Sequence, residues 1–298
     1  MSLPSISAGD ARANGQAIAV ICVGIACLVV NDAFAKWLTA FYPPLQIIFV
    51  RNLLAMPMIT AIVLWLGGLQ ALQTRHLRVH ALRGLLMVGG AYTFFVGLKF
   101  LPLAEATSLI FAAPIFITAL SVPLLREKVG WRRWAAVVVG FVGVLIIVRP
   151  GAATFQPASL FVVATAMFYA LGMLSARWID RSENVWRLMF YMVLFPLVYS
   201  GLLVPFVWQT LDMSHLPLFL AMAVFGTLGM TLISQSFRMG PAAVVAPFEY
   251  TALIWASLLG WLVWGDIPGF WIYAGAAVII ASGIYIVVRE TGKPAASE

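Results

Sequence analysis

Residues 29–37 read VVNDAFAKW, and three of them, Asn31, Asp32 and Lys36, could hold charge or hydrogen-bond a charged ligand. Arg51 follows one short hairpin later, in IIFVRN. Far along the chain, APFEY at 246–250 places Glu249 close to Pro247. A carboxylate near a guanidinium can meet the two charged ends of an amino acid, and a lone carboxylate can carry a proton or close a gate. These side chains are informative because each lies in an apolar run of spanning length. A charge inside a bilayer costs at least about 2.5–3.5 kcal/mol on insertion scales, so each is a functional candidate by default.

The elements that position them follow from composition. The 298 residues are 63% hydrophobic and 10% charged, against about 25% charged in a soluble domain. Mean hydropathy is +1.00. The apolar residues come in runs of about 20, enough for a helix to cross a hydrocarbon core of about 30 Å; a β-barrel would show short alternating segments instead. The fold class is all-α integral membrane. Net charge is +7 and the pI about 9.7. In such a chain Lys and Arg collect in cytoplasmic loops and set topology, so this excess does not indicate nucleic acid. Cys22 and Cys27 are five apart in one run with no His nearby, a poor zinc site and an unsuitable disulfide.

Charges, Pro and Gly divide the chain into ten candidate helices, near 17–38, 45–66, 80–99, 104–125, 131–148, 157–178, 186–208, 216–237, 241–264 and 268–288. With a cytoplasmic N-terminus, 14 of the 18 Lys and Arg fall on inside segments, Arg75, Arg78 and Arg83 among them. The other four, Lys36, Arg51, Lys99 and Arg149, lie at or near outer ends. Both termini are predicted inside. An alternative for the first run is a cleaved signal peptide, because Ala33-Phe34-Ala35 fits an A-x-A site. Its full spanning length argues against cleavage, as does an internal repeat.

PIFITALSVPLLREKVGWRRWAAVVVGFVGVLIIVR at 114–149 parallels LIWASLLGWLVWGDIPGFWIYAGAAVIIASGIYIVVR at 253–289. Each is a helix ending in an acid, Glu127 or Asp266. A Gly follows three residues on, Gly130 or Gly269, then a second helix with a late Gly closing on Arg149 or Arg289. The predicted halves are 1–150 and 151–298, five helices each. An odd number per half inverts one against the other, a pattern shared by many secondary transporters.

At these residues the sequence resembles the ten-helix EamA-type branch of the drug/metabolite transporter superfamily. DAFAKWLTAFYPPLQIIFVRN (32–52) carries Lys36, Pro43 and Arg51, and residues 98–151 carry Pro114, Glu127, Gly140 and Gly143. The copy at 241–289 departs from the pattern, with Leu253 where Pro114 would align and Asp266 in place of Glu. Aromatic-rich spans make the sequence most similar to the YddG-type amino-acid exporters. The resemblance implies a central cavity between two halves, alternating access, and residence in a bacterial-type inner membrane. It implies no cofactor and a small-molecule partner, and a monomer is compatible with it.

Two readings stand for each candidate. Asp32 and Arg51 are predicted at similar depth in the outer half, with Lys36 one turn from Asp32. The three could form a polar patch meeting an amino acid, or a structural pin between helices 1 and 2. Asn31 could serve either. Glu249 could gate or carry a proton, or be a carboxylate capped from helix 8 through Gln235. Glu105 begins helix 4, where an acid suits the dipole, and Lys99 either snorkels or lines the cavity. Cavity aromatics could be Tyr92, Phe95, Phe111, Phe168, Tyr169, Tyr191, Tyr250 and Trp255, with packing or lipid contact as the alternative; buried Tyr and Trp need hydrogen-bond partners. Gly140 and Gly143 suit close helix packing.

There is no G-x-x-x-x-G-K-[ST] and no H-E-x-x-H, and His76, His80 and His215 lie in or near predicted loops. The sequence points to a secondary exporter of amino acids, aromatic or apolar ones included, and not to an enzyme. A drug or metabolite exporter is the rival within the class. A lipid-modifying membrane enzyme or a passive channel is the rival outside it.

Overall fold

A peptide group left unpaired in hydrocarbon is costly, so each apolar run is expected to close its hydrogen bonds within a helix. A computed structural model describes residues 8–68, 72–126, 129–152, 155–175, 178, 183 and 185–291, and these are helical with no strand among them. Glu127 lies outside the described residues. The helices are α1 (Ala8–Leu38), α2 (Pro44–Gly67), α3 (Leu77–Phe100), α4 (Leu103–Ile110), α5 (Ala113–Leu125), α6 (Trp131–Val148), α7 (Ala158–Ser175), α8 (Val185–Leu203), α9 (Leu216–Met239), α10 (Ala242–Val245), α11 (Ala252–Trp264) and α12 (Phe270–Thr291). Among the described residues nine helical segments have the length and hydropathy to cross a membrane, and the shorter apolar helix Phe270–Ile286 makes a tenth. Ten crossings return the chain to the side where it began, here called the terminal face.

Two of the predicted helices are interrupted. The fourth span, α4 plus α5, turns at Phe111 and Ala112 and restarts with Pro114 in its first turn. Pro114 has no N–H for the carbonyl four residues back, which breaks the ladder there. The ninth span runs through α10, a 3₁₀ segment Ala246–Thr251 holding Pro247 and Glu249, and α11. The two interruptions fall in the fourth and the ninth span, five apart in chain order.

α1 packs along α9, α3 along α7, α2 along α8, α6 along α12, and α4 against α11. Each pairing joins a span before residue 150 to one after it. At two crossings glycine brings backbone against backbone. A Cβ on Gly229 would stand 2.8 Å from the carbonyl oxygen of Gly24. One on Gly143 would stand 2.9 Å from the oxygen of Gly275, and one on Gly275 2.7 Å from that of Gly143. Such spacing lets backbones touch where lipid supplies no hydrophobic drive. The outer face of α6 exposes Val138, Val139, Phe141, Val142 and Leu145, as contact with lipid requires.

Candidate functional site

Asp32 stands six residues before the end of α1, and Arg51 seven residues after the start of α2. At 1.5 Å per residue both lie about 9–10 Å inside the helix ends opposite the terminal face. Each is half-buried, and the two charges interact. Asn31 Nδ2 donates to Asp32 Oδ1 at 2.9 Å. Gly226 of α9 closes the group: a Cβ there would be 2.8 Å from Asn31 Oδ1 and 2.9 Å from Arg51 Nη2. Asn31 is 4% exposed, and its Oδ1 has no hydrogen-bond partner among the described residues. A buried acceptor left open is costly unless something visits it.

Arg51 opens on a cavity of about 160 Å³ between α2, α3, α8 and α9. Its polar lining comes from Arg51, Asn52, Thr227, Thr231 and Ser234, its apolar lining largely from Met87, Met189, Met192 and Met230. Met fills irregular space and adapts to different shapes. Pro196, also in the wall, has no N–H for the carbonyl of Met192. The volume is below the range of about 300–1,000 Å³ typical of drug-sized pockets, so this state holds part of a ligand or a small one.

Lys36 does not join Asp32 and Arg51, a correction to the expected three-charge cluster. Its Nζ donates to the carbonyl of Leu101 at 2.7 Å and lies 3.5 Å from Asp266 Oδ2 and 5.0 Å from the Trp264 ring centroid. The long stem carries the ammonium toward the helix end, where the carbonyl of Leu101, the residue that caps α3, and the acid after α11 await it. Glu105 and Arg149 interact at the same end.

The interrupted spans meet in the middle. Phe111 packs edge-on against Tyr250, ring centroids 5.0 Å apart. Glu249, one residue before Tyr250, is half-buried, and its carboxylate has no hydrogen bond or ion pair among the described residues. The expected cap from Gln235 is not formed; α9 leaves Gln235 exposed. Tyr169 of α7 is 41% exposed, yet the charge of Glu249 acts on it. It therefore faces inward, onto internal space.

The other aromatics divide. Phe95 is 2% exposed and Trp255 packs against the core. Phe168 fills the α3–α7 crossing against Gly89 and Gly90. Tyr92 is 41% exposed. Tyr191 stacks on His80 with centroids 4.6 Å apart and donates to the Leu72 carbonyl at 2.7 Å, so it braces α8 against α3. Lys99 is exposed at the end of α3, over Phe100.

Sequence reasoning missed a tie near the terminal face. His80, placed there in or near a loop, is 2% exposed, with Nε2 2.8 Å from Glu183 Oε2. Thr74 Oγ1 also donates to Glu183, and Arg187 lies 3.7 Å away. Burial pushes the Glu183 carboxyl up, but the Thr74 and His80 hydrogen bonds and the nearby positive charge outweigh it and hold it below the usual carboxylate range. An acid and a histidine about 100 residues apart carry no local sequence signal.

Among the described residues no group of three or more His, Cys, Asp or Glu could hold a metal. The EamA-like transporter family matches residues 15–149 and, a second time, residues 156–289. The chain belongs to this family. It is thus a multi-pass membrane protein and a small-molecule transporter, not an enzyme. This EamA-like chain is similar to a riboflavin transporter of Vibrio cholerae, 31% identical over 93% of this chain and 94% of that one. It is also similar to an S-adenosylmethionine uptake transporter of Rickettsia bellii, 29% identical over 87% and 89%. A pseudopaline exporter of Pseudomonas aeruginosa is 25% identical over 87% and 89%. One crystal structure aligns with a TM-score of 0.59 at 20% identity, over 94% of this chain and 99% of that one, which speaks for the fold alone.

Proposed function

We propose that this EamA-like protein moves amino-acid-like zwitterions by alternating access, with Arg51 meeting the carboxylate and Asp32 the ammonium group. The observation that carries the reading is the placement of these opposite charges, half-buried and at similar depth, on α1 and α2 where both helices pack on α9. The unpartnered Asn31 Oδ1 adds an acceptor for the same ammonium. A relative named for S-adenosylmethionine, which carries an amino-acid group, agrees with this reading, and one named for riboflavin supplies the rival solute. The relatives' names run both ways across the membrane, so direction follows the solute gradient; export is the sense proposed when the solute is made inside.

Two inverted halves, 1–150 and 151–298, supply the alternation. Supporting this, the pairings of spans 1 with 8, 2 with 7, 3 with 6, 4 with 9 and 5 with 10 are unchanged when each span n is exchanged with n+5. Interrupted spans at matching positions are where such transporters place their sites. Both termini lie in the cytoplasm in this reading, and the membrane is a bacterial inner membrane. The test is counterflow in liposomes holding purified protein, with S-adenosylmethionine, L-methionine, L-phenylalanine and riboflavin. Saturable exchange of at least one zwitterion, with little of riboflavin, is expected; riboflavin alone, or linear flux of everything, defeats the reading.

A further inference from the structure

The loop-side arginines of the third span were expected to set topology, yet Arg83 lies six residues inside α3, about 9 Å from its terminal-face end. It is 8% exposed and does not snorkel. Its Nη1 is buried without a hydrogen-bond partner, and its Nη2 reaches only the weak acceptor Sδ of Met192, at 3.9 Å. No carboxylate among the described residues lies within 4.0 Å of it. Glu183, in the adjoining loop, is bonded to Thr74, His80 and Arg187 instead. A buried guanidinium with donors open is a costly arrangement that packing alone does not explain.

Its place in the fold gives it a use. Met87 and Ala91, four and eight residues further along α3, line the cavity, so Arg83 continues the lining stripe one turn below it. Met192, whose sulfur covers the guanidinium, is in the cavity wall. Met side chains turn readily. Arg51 therefore stands at one end of the cavity and Arg83 beneath the other.

We propose that Arg83 is a second oxyanion-binding position of this cavity, covered by Met192, which takes a carboxylate or phosphate group of the transported molecule on its way to the terminal face. The proposal rests on the transport reading for its physiological ligand, but not for its test. Guanidinium forks suit such planar oxyanions.

Inorganic phosphate and acetate serve as probes. Tm of the purified protein in non-ionic detergent is followed against each anion, with chloride at equal ionic strength as control. The expected result is a saturable rise in wild type, to which both guanidinium groups contribute, and, in an Arg51→Met background that leaves Arg83 alone, an apparent affinity that falls at least about tenfold when Arg83→Met is added. Without anion, Arg83→Met should melt at or above wild type, since an unpaired buried charge has been removed; a purely structural arginine would leave it less stable. Arg83→Gln gives the same comparison should Arg83→Met fail to fold. An anion response absent in wild type, or equal in Arg51→Met with and without the Arg83 substitution, overturns the proposal. So does a response lost in Arg83→Met only when phosphatidylglycerol is the anion, which would make the site a lipid contact. Absence of zwitterion flux with an intact Arg83-dependent response would defeat the transport reading and leave this site standing.

Discussion

Gly226 has room for a hydrogen and little else. Replacing it with Ala puts a methyl 2.8 Å from Asn31 Oδ1 and 2.9 Å from Arg51 Nη2, so one of them must move. Gly226→Ala is expected to cut saturable flux about tenfold, equivalent to about 1.4 kcal/mol, while Tm changes little because both neighbours are side-chain tips. Flux equal to wild type would place the ligand elsewhere. Asp32, Arg51 and Asn31 were legible from type and spacing, because two antiparallel helices joined by a short hairpin put equal distances from the turn at equal depth. Lys36 was misplaced because its stem is long enough to leave its own turn, and the acid it finds is 230 residues away. Arg83 was misplaced because a charge near a helix end reads as a loop charge until burial is known.

At the scale of elements, the fourth and ninth spans give way where Pro114 and Pro247 remove backbone donors. Pro247→Ala should let the 3₁₀ segment wind toward α-helix, raising Tm and lowering flux; a rise in both would show that the break is incidental. The tie between α3 and the loop before α8 yields a pH prediction. Glu183 is held below its ordinary range, so its pKa is lower folded than unfolded. Its contribution to stability is present above about pH 4.3 and fades as pH falls through the folded value. Melting curves from pH 7 to pH 3 should fall on the acid side in wild type. In Glu183→Gln, Tm should already be lower at pH 7 and the acid-side loss smaller; parallel profiles would contradict this. Run lengths showed ten spans. Pro247 pointed to a kink in the ninth span, but the break at Pro114 was hidden, because a hydropathy count does not register a missing N–H.

For the whole molecule, every principal pairing joins a span before residue 150 to one after it. The α6–α12 crossing, where Gly143 and Gly275 meet backbone to backbone, is expected to persist as the access side changes. Gly275→Leu is expected to prevent recovery of a monodisperse protein, because the clash is with a carbonyl and not with a flexible side-chain end; a stable Gly275→Leu protein would show that the joint can open. Which spans pair was not readable in the sequence, since pairing depends on surfaces that meet only after folding. The account's central claim is that Arg51 recognises the carboxylate of a transported zwitterion. Counterflow of S-adenosylmethionine and L-methionine, measured side by side in liposomes holding wild type or Arg51→Met at equal protein density, tests it most directly. Saturable exchange in wild type that falls at least about tenfold in Arg51→Met is predicted; equal exchange in the two proteins, or none in wild type, would contradict it.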